Sequence, residues 1–173
     1  INAKFGQGKE ILKIPQPIIM KKGSKIMSLN DGQKKMSKSD PNENSRINLL
    51  DSPEKIEKKI KRAKSDSFTG IEFNNPERPE SKNLITIYSI LNGKKIEELE
   101  NELSQTGWGT FKKLITEELI ESLKPIQERY KVLIDDPYQL NKIILSGKDK
   151  AEHVANKTLN RLKTNLGFYK MDL

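Results

Sequence analysis

From residue 81 to residue 166 the sequence is patterned almost entirely as α-helix, and this constrains the fold more than any other feature. Apolar residues recur there at spacings of three and four with charged residues between them, as one face of an amphipathic helix requires. Glycine, proline and capping residues predict five segments, namely 81–92, 94–104, 110–134, 137–146 and 149–166. The expected fold is therefore mainly α, with a helical bundle in the C-terminal two thirds of the chain.

Single residues set the expected ends of these helices. Gly93 closes the first segment, and Asp136 with Pro137 begins the fourth as an N-cap followed by a first-turn proline. Pro125 lies inside the third segment, where it removes one backbone hydrogen bond. We therefore expect that helix to kink or break near residues 121–124.

The stretch before these helices carries one helix and two weaker strand signals. Ser52 and Pro53 begin the helix as N-cap and first helical residue. Its apolar face consists of Ile56, Ile60 and Ala63. Short alternations at residues 47–49 and 71–73 are typical of strands, so these two segments are a possible strand pair.

The first 46 residues lack helical periodicity. In residues 1–30, short apolar runs are broken by Pro15, Pro17 and Gly23, which predicts brief strands and turns. Residues 30–46 consist mainly of Asn, Asp, Gly, Lys, Ser and Pro, and this composition predicts an exposed loop.

The segment Lys35-Met36-Ser37-Lys38-Ser39, hereafter the signature segment, is the strongest chemical signal in this loop. Lysine carries a compact charge on a flexible stem, and serine hydroxyls and free backbone N–H groups are further donors to phosphate oxygens. The segment therefore predicts a site for the ATP phosphates, with Lys35 and Lys38 as the catalytic residues that stabilise the departing pyrophosphate. The alternative is a solvated basic loop that binds nothing.

Composition narrows the class of protein. A formal charge of +8 favours an anionic partner such as nucleic acid, and the absence of cysteine excludes disulfides and thiol catalysis. No apolar stretch approaches the length of a membrane span, and no signal-peptide pattern is present, so a cytoplasmic protein without membrane contact is expected. The sequence opens on Ile1 rather than methionine, which suggests a trimmed or partial chain.

Several segments resemble, in order along the chain, the bacterial-type tryptophanyl-tRNA synthetases, a family of class I aminoacyl-tRNA synthetases. They are Gly23–Leu29, Lys34–Asn42, Lys58–Lys61, Ser65–Ser67, Asn83-Leu84, Ile96–Glu100, Gly107–Gly109, Pro125–Tyr130 and Ala151-Glu152. Gly32 departs from the family pattern, because a proline is common there, and Glu80 stands where a glycine is common.

The resemblance implies an enzyme that activates tryptophan with ATP, accompanied by Mg²⁺, and transfers it to tRNA(Trp). It implies that residues 1–46 are the last part of the α/β nucleotide-binding domain and that residues 47–173 are the helical domain that recognises the anticodon. It places the ATP contacts on Ile26, Lys35, Met36, Ser37, Lys38 and Ser39, with Ile26 at the adenosine part, and implies no metal ligand.

The His-Ile-Gly-His-like motif of class I synthetases is absent, and the single histidine, His153, lies in a predicted polar helix. The resemblance therefore implies the C-terminal half of the enzyme, inactive alone, with tryptophan bound by the missing N-terminal half and the intact protein a homodimer. Two alternatives stay open: a non-catalytic RNA-binding helical module, and a tyrosine-specific relative.

Several individual residues also allow two interpretations. Ile26 is either an adenosine contact or an ordinary apolar residue, and Met36 either flanks adenine or anchors the loop in an apolar gap. Trp108 and Tyr130 either stack on a base or, for Trp108, cap the bundle core. The cations available for tRNA phosphates are Lys112, Lys113, Arg129, Lys131, Lys157, Arg161 and Lys163.

Overall fold

A computed structural model of the protein describes residues 1–20 and 23–168. The helices are α1 (Asn2–Phe5), a 3-10 turn (Glu43–Ser45), α2 (Pro53–Arg62), α3 (Pro79–Asn92), α4 (Ile96–Leu103), α5 (Trp108–Asp135) and α6 (Pro137–Asn165). The strands are β1 (Met27–Ser28) and β2 (Asp31–Lys35), which pair antiparallel. The prediction of a mainly α fold is confirmed.

The chain divides into two compact units. One consists of Ile1–Ile18 and Lys131–Leu173, and the other of Ile19–Tyr130. The second unit holds the hydrophobic core, to which α2, α3, α4 and α5 contribute. Its buried members are Leu29, Ile56, Ile60, Ala63, Ile71, Leu84, Ile85, Leu99, Leu103, Phe111, Ile115, Leu119 and Leu123.

The predicted capping residues act as expected. Ser52 accepts a hydrogen bond from the Lys55 N–H at 3.3 Å, and Asp136 accepts one from the Gln139 N–H at 3.0 Å. Gly93 ends α3 with φ 74°, a left-handed conformation that glycine adopts without steric cost. The starts of α2 and α6 and the end of α3 are thus explained by local sequence.

Two expected helix breaks are wrong. The segments 137–146 and 149–166 form the single helix α6, because Gly147 costs an exposed helix only about 1 kcal/mol. Of the kink or break expected near residues 121–124, the break does not occur, because α5 continues through Pro125, and the kink stays a prediction. Leu123 is buried just before the proline, and Gln127 just after it donates through Nε2 to the Leu49 and Asp51 carbonyls at 2.8 and 3.0 Å. These contacts hold the helix on both sides of the missing hydrogen bond.

The possible strand pair at residues 47–49 and 71–73 does not form. The Ile71 N–H donates to the Leu103 carbonyl at 3.1 Å, at the end of α4. The Phe73 N–H donates to a Glu100 carboxylate at 2.6 Å. Between them, the Glu72 N–H donates to the Ser81 hydroxyl oxygen on α3 at 2.9 Å. The backbone donors of this segment are therefore satisfied by α3 and α4, and a neighbouring strand is not needed.

The predictions for the first 46 residues are partly wrong. Residues 2–5 form the short helix α1, and the loop expected over 30–46 begins with strand β2. Asn2 explains the fold around α1, since its Oδ1 accepts from the Ile11 and Leu12 N–H groups at 3.0 and 2.8 Å. The polar composition of β2 misled the prediction because four of its five residues are incompletely buried.

Helix α6 belongs to the other unit and has no buried residue. Apolar side chains on it, including Ile144 and Val154, are more than half exposed. The helices that contribute buried residues to the hydrophobic core are therefore α2 to α5. Within the described residues, no helix combines the length and the apolar character needed to cross a membrane.

Candidate active site

The signature segment leaves the open end of a small hairpin. Strands β1 and β2 are paired with Met27 opposite Lys35 and Ser28 opposite Asp31, with an irregularity between the two pairs. Beyond Lys35, the Met36 N–H donates to the Ile26 carbonyl at 3.0 Å. Lys35 therefore ends β2 in a fixed register, while the next residues turn away from the strand.

The closed end of the hairpin is fixed in the core. Leu29 is 2% exposed. Its N–H donates to the Ser45 carbonyl at 2.9 Å, and its carbonyl accepts from the Lys64 N–H at 2.8 Å. Because the turn is held on both sides, the end that carries Lys35 is the one that projects.

The polar side chains of the signature segment are brought together on the surface. Lys35, Ser37, Lys38 and Ser39 are exposed. The Ser37 and Ser39 hydroxyl oxygens are 3.2 Å apart, and the Asp40 N–H donates to the Ser37 carbonyl at 3.4 Å. This turn presents two neighbouring hydroxyls on an exposed segment that also carries two lysines, a set of donors suited to an anion with several oxygens.

The two lysines of the segment make no ion pair with any residue that the structure describes, whereas their neighbour Lys34 does. The Nζ of Lys34 is 3.3 Å from Asp31 Oδ2. The pKa of Asp31 lies below its ordinary value, chiefly because the Gln33 N–H donates to it and also because Lys34 is close. Lys35 and Lys38 thus keep their charge available for a ligand.

A residue that the sequence did not single out, Arg46, holds the exit of the loop. Its Nη1 donates to the Asp40 carbonyl at 2.7 Å, and its Nε donates to Asn48 Oδ1 at 3.1 Å. The Asn42 N–H donates to Asp40 Oδ1 at 2.8 Å. The only signal in the sequence was an arginine at the end of a polar loop, which by itself does not distinguish an anchor from a solvated charge.

Ile26 and Met36 are half-buried, unlike the exposed lysines and serines of the segment. Both line an apolar cavity of about 200 Å³, and Met36 packs against the core. The cavity is completed by Leu29, Ile47, Ile60, Ile87, Ile90, Leu91 and Leu119. This placement favours the interpretation of Met36 as an apolar anchor. The adenosine contact of Ile26 stays a prediction.

A buried ion pair connects the segment after the loop to α2. Asp51 and Lys59 are 3% and 2% exposed and form a direct salt bridge. Lys55 adds contacts to Asp51 at 3.4 Å and to Glu43 at 3.1 Å. Burial raises the pKa of Asp51, but the hydrogen bonds from Lys59 and Asn48 outweigh it and lower the value to about 2. Asp51 is therefore ionised throughout the physiological range.

Trp108 belongs to a structural cluster. Its Nε1 donates to Asp66 Oδ1 at 3.1 Å, and the same carboxylate accepts from Arg78 Nε and Nη2 at 2.8 and 3.0 Å. Arg78 is only 1% exposed. The centroids of the Trp108 and Phe111 rings are 6.3 Å apart. These contacts favour the core-capping interpretation of Trp108 over base stacking.

Lys112, one of the cations available for RNA, is occupied by the protein itself. Its Nζ donates to the carbonyls of Lys61 and Ala63 at 3.2 and 2.6 Å and lies 3.3 Å from the Ser65 hydroxyl. Burial lowers its pKa. His153 is exposed on α6. Over the described ranges 1–20 and 23–168, no three His, Asp or Glu side chains group closely enough to hold a metal ion.

The family model described as tRNA synthetases class I (W and Y) matches residues 1–124, which include the hairpin, the signature segment and α2 to α4. The chain belongs to this family.

Individual class I tRNA synthetases agree with this assignment. The tryptophan–tRNA ligase of Prochlorococcus marinus subsp. pastoris is 75% identical over 172 residues, which are 99% of this chain and 51% of the relative. A crystal structure of tryptophanyl-tRNA synthetase from Mycoplasma pneumoniae matches with a TM-score of 0.82 and 30% identity, over 97% of this chain and 50% of that one. The resemblance drawn from the sequence is confirmed.

A more distant class I synthetase shares the fold. The Campylobacter jejuni tryptophanyl-tRNA synthetase aligns with a TM-score of 0.61 at 21% identity, over 96% of this chain and 49% of its own. The chain spans about half the length of the curated relatives that it matches.

Proposed function

We propose that the chain is the C-terminal half of a cytoplasmic tryptophan–tRNA ligase, which forms tryptophanyl-adenylate and pyrophosphate from tryptophan and ATP and then charges tRNA(Trp). The observation that carries the proposal is the exposed pair Lys35 and Lys38, which have no ion-pair partner in the described parts of the chain and lie on a hairpin of fixed register. The 75% identity to a tryptophan–tRNA ligase supports the choice of amino acid.

In this proposal the two lysines bind the phosphates of ATP and stabilise the charge that moves onto pyrophosphate. Ser37 and Ser39 donate hydrogen bonds to the same oxygens, Ile26 contacts the adenosine part, and Met36 anchors the segment in the apolar cavity. Mg²⁺ bound to ATP would neutralise part of the phosphate charge, and the two lysines would supply the rest of the positive charge. Exposed ammonium groups on a projecting turn fit an anionic substrate of this kind.

The remaining parts of the proposal concern the rest of the ligase. Residues 1–46 complete the nucleotide-binding domain, and residues 47–173 form the helical domain that contacts the tRNA anticodon. Tryptophan binds to the preceding half, and the intact ligase is a homodimer. The chain alone is expected to be inactive, because most of the nucleotide pocket lies in the other half.

The test joins this chain behind the N-terminal half of the Prochlorococcus marinus subsp. pastoris ligase. We expect the joined protein to catalyse exchange of pyrophosphate into ATP when tryptophan is added, and the chain alone to be inactive. Exchange that depends on tyrosine instead would contradict the substrate, and a folded joined protein without exchange would contradict the enzymatic role. In the second case, retained tRNA binding would favour an RNA-binding module.

A further inference from the structure

The side chain of Asn83 makes, on the edge of β1, the two hydrogen bonds that a neighbouring strand would make. Its Oδ1 accepts from the Met27 N–H at 2.8 Å, and its Nδ2 donates to the Met27 carbonyl at 2.8 Å. Asn83 lies in the second turn of α3 and is 5% exposed. Both polar groups of Met27 therefore point away from β2, as they do at a non-hydrogen-bonded position of an antiparallel pair.

Met27 in turn is coupled directly to the signature segment. Its partner across the hairpin is Lys35. The preceding residue, Ile26, accepts at its carbonyl from the Met36 N–H at 3.0 Å. Asn83 is thus bonded to Met27, and Met27 is paired with Lys35. Only Met27 lies between the Asn83 side chain and Lys35.

The amide of Asn83 selects one register of β1. Successive residues of a strand point their backbone groups to opposite sides, so a slip by one residue would not present both an N–H and a carbonyl to Asn83 at hydrogen-bonding distance. A buried amide without partners is unfavourable, and the pairing of both its polar groups with one residue excludes the slipped arrangement. The Ser28 carbonyl also lies 3.5 Å from Nδ2, where the strand pairing is irregular, but this contact is longer than the 2.8 Å bond to the Met27 carbonyl.

Helix α3 also holds β2, one turn earlier. The Gly32 N–H donates to Glu80 Oε1 at 3.4 Å, so that both strands of the hairpin are bonded to the first two turns of the same helix. These bonds are buried or partly buried, whereas Lys35 and Lys38 are exposed. Neither Asn83 nor Glu80 belongs to the exposed surface formed by the signature segment.

We propose that Asn83 is a positioning residue for the ATP reaction, which acts by fixing the register of β1 and thereby the place at which Lys35 and Lys38 leave the hairpin. This proposal rests on the proposed function. Asn83 contacts no phosphate itself. Without it, the hairpin must be ordered against α3 during the reaction, and misplacement of charged groups by about 1 Å lowers rates by up to about a hundredfold.

Two substitutions separate the parts of this contact. Asn83→Asp keeps the size and the acceptor for the Met27 N–H, but it sets a carboxylate oxygen against the Met27 carbonyl. Asn83→Leu has a similar size and removes both hydrogen bonds. Thr86→Val is the matched control, because the Thr86 hydroxyl on the same helix donates only to the Lys82 carbonyl at 2.6 Å.

The experiment measures tryptophan-dependent pyrophosphate exchange in the joined protein, at a temperature where the far-UV circular dichroism of each variant equals that of the parent. For both Asn83 variants we expect kcat to fall about ten- to a hundredfold, with the KM for ATP changed less than about threefold. Hydrogen exchange at the Met36 N–H is expected to accelerate. The Thr86→Val protein is expected to match the parent in all three quantities.

A double-mutant cycle with Lys38→Ala tests whether Asn83 acts through the lysine. If it does, Asn83→Asp lowers kcat by a smaller factor once Lys38 is absent, because only the effect through Lys35 is left, whereas a merely structural residue would lower kcat by the same factor in both backgrounds. Equal factors would overturn the proposal, as would an unchanged kcat or variants that are unfolded at every temperature. An inactive parent would reject the proposed function, and the role of Asn83 with it.

Discussion

The backbone N–H of Gly32 donates to the carboxylate of Glu80 at 3.4 Å, so the two positions at which the sequence departs from the tryptophanyl-tRNA synthetase pattern contact each other. A Cβ at position 32 would lie 2.6 Å from the carbonyl carbon of Pro79. A proline there would carry that atom and would also lack the N–H that Glu80 accepts. Glycine at position 32 therefore leaves room for α3 and donates a hydrogen bond to Glu80, whereas a proline there would do neither.

Substitution of Gly32 by alanine tests this close contact. Because the neighbouring atoms are backbone atoms of α3, they cannot move aside as a side chain would, and we expect Gly32→Ala to lower the unfolding free energy by about 1–3 kcal/mol. Urea unfolding followed by circular dichroism measures the change. Gly109→Ala is the control, since a Cβ on Gly109 would meet nothing within 4 Å. Equal stability of the two variants would show that the hairpin does not lie this close to α3.

The Asp51–Lys59 pair predicts a specific loss of stability in acid. The folded pKa of Asp51, about 2, lies below its ordinary value of 3.8, so its contribution is complete above pH 4 and is lost as the pH falls through 2. The shift corresponds to about 2 kcal/mol. Subtracting the stability of Asp51→Asn from that of the parent at each pH cancels the other carboxylates. A difference that stays constant from pH 6 to pH 2 would contradict the pairing.

Lys112 is predicted to stabilise the end of α2. Lys112→Met removes the donor to the Lys61 and Ala63 carbonyls. It also removes the cost of burying the Lys112 charge, which is the cause of the lowered Lys112 pKa. The net loss is expected to be about 1–2 kcal/mol in urea unfolding. Lys113→Met changes the next residue, which is exposed on the same helix, and should leave stability within about 0.5 kcal/mol of the parent. If Lys113→Met lost more stability than Lys112→Met, Lys112 would be a solvated surface residue and not a stabilising contact.

Local signals in the sequence were sufficient for most helix ends. Ser52, Gly93 and Asp136 each act through hydrogen bonds or dihedral angles within a few residues, and such effects can be predicted without the fold. Pro125 and Gly147 were misjudged for the opposite reason. The cost of Gly147, about 1 kcal/mol, is too small to end an exposed helix. The cost of Pro125 is about 3 kcal/mol, and contacts made by distant residues decide that α5 continues there; Gln127 bonds to carbonyls 76 and 78 residues away.

The sequence was sufficient to propose which residues of the candidate site carry its chemistry, but not which residues hold them in place. The signature segment could be identified because its residue types suit a polyphosphate. Its support comes from Asn83, which lies 56 residues from its partner Met27 in sequence, and from Arg46, whose role depends on the path of the loop. Nothing in the sequence pattern of α3 indicates that Asn83 is bonded to a strand, so its hydrogen bonds to Met27 could be found only from the fold.

The most direct test of the central claim compares Lys38→Ala with Lys34→Ala in the joined protein. Lys34 is the matched control, since it lies in the same hairpin but is paired with Asp31. The account predicts that Lys38→Ala lowers kcat/KM for ATP in tryptophan-dependent pyrophosphate exchange by about a hundredfold or more, while Lys34→Ala changes it by less than about threefold. If Lys38→Ala also stayed within about threefold of the parent, the lysine pair would not be the phosphate-binding site.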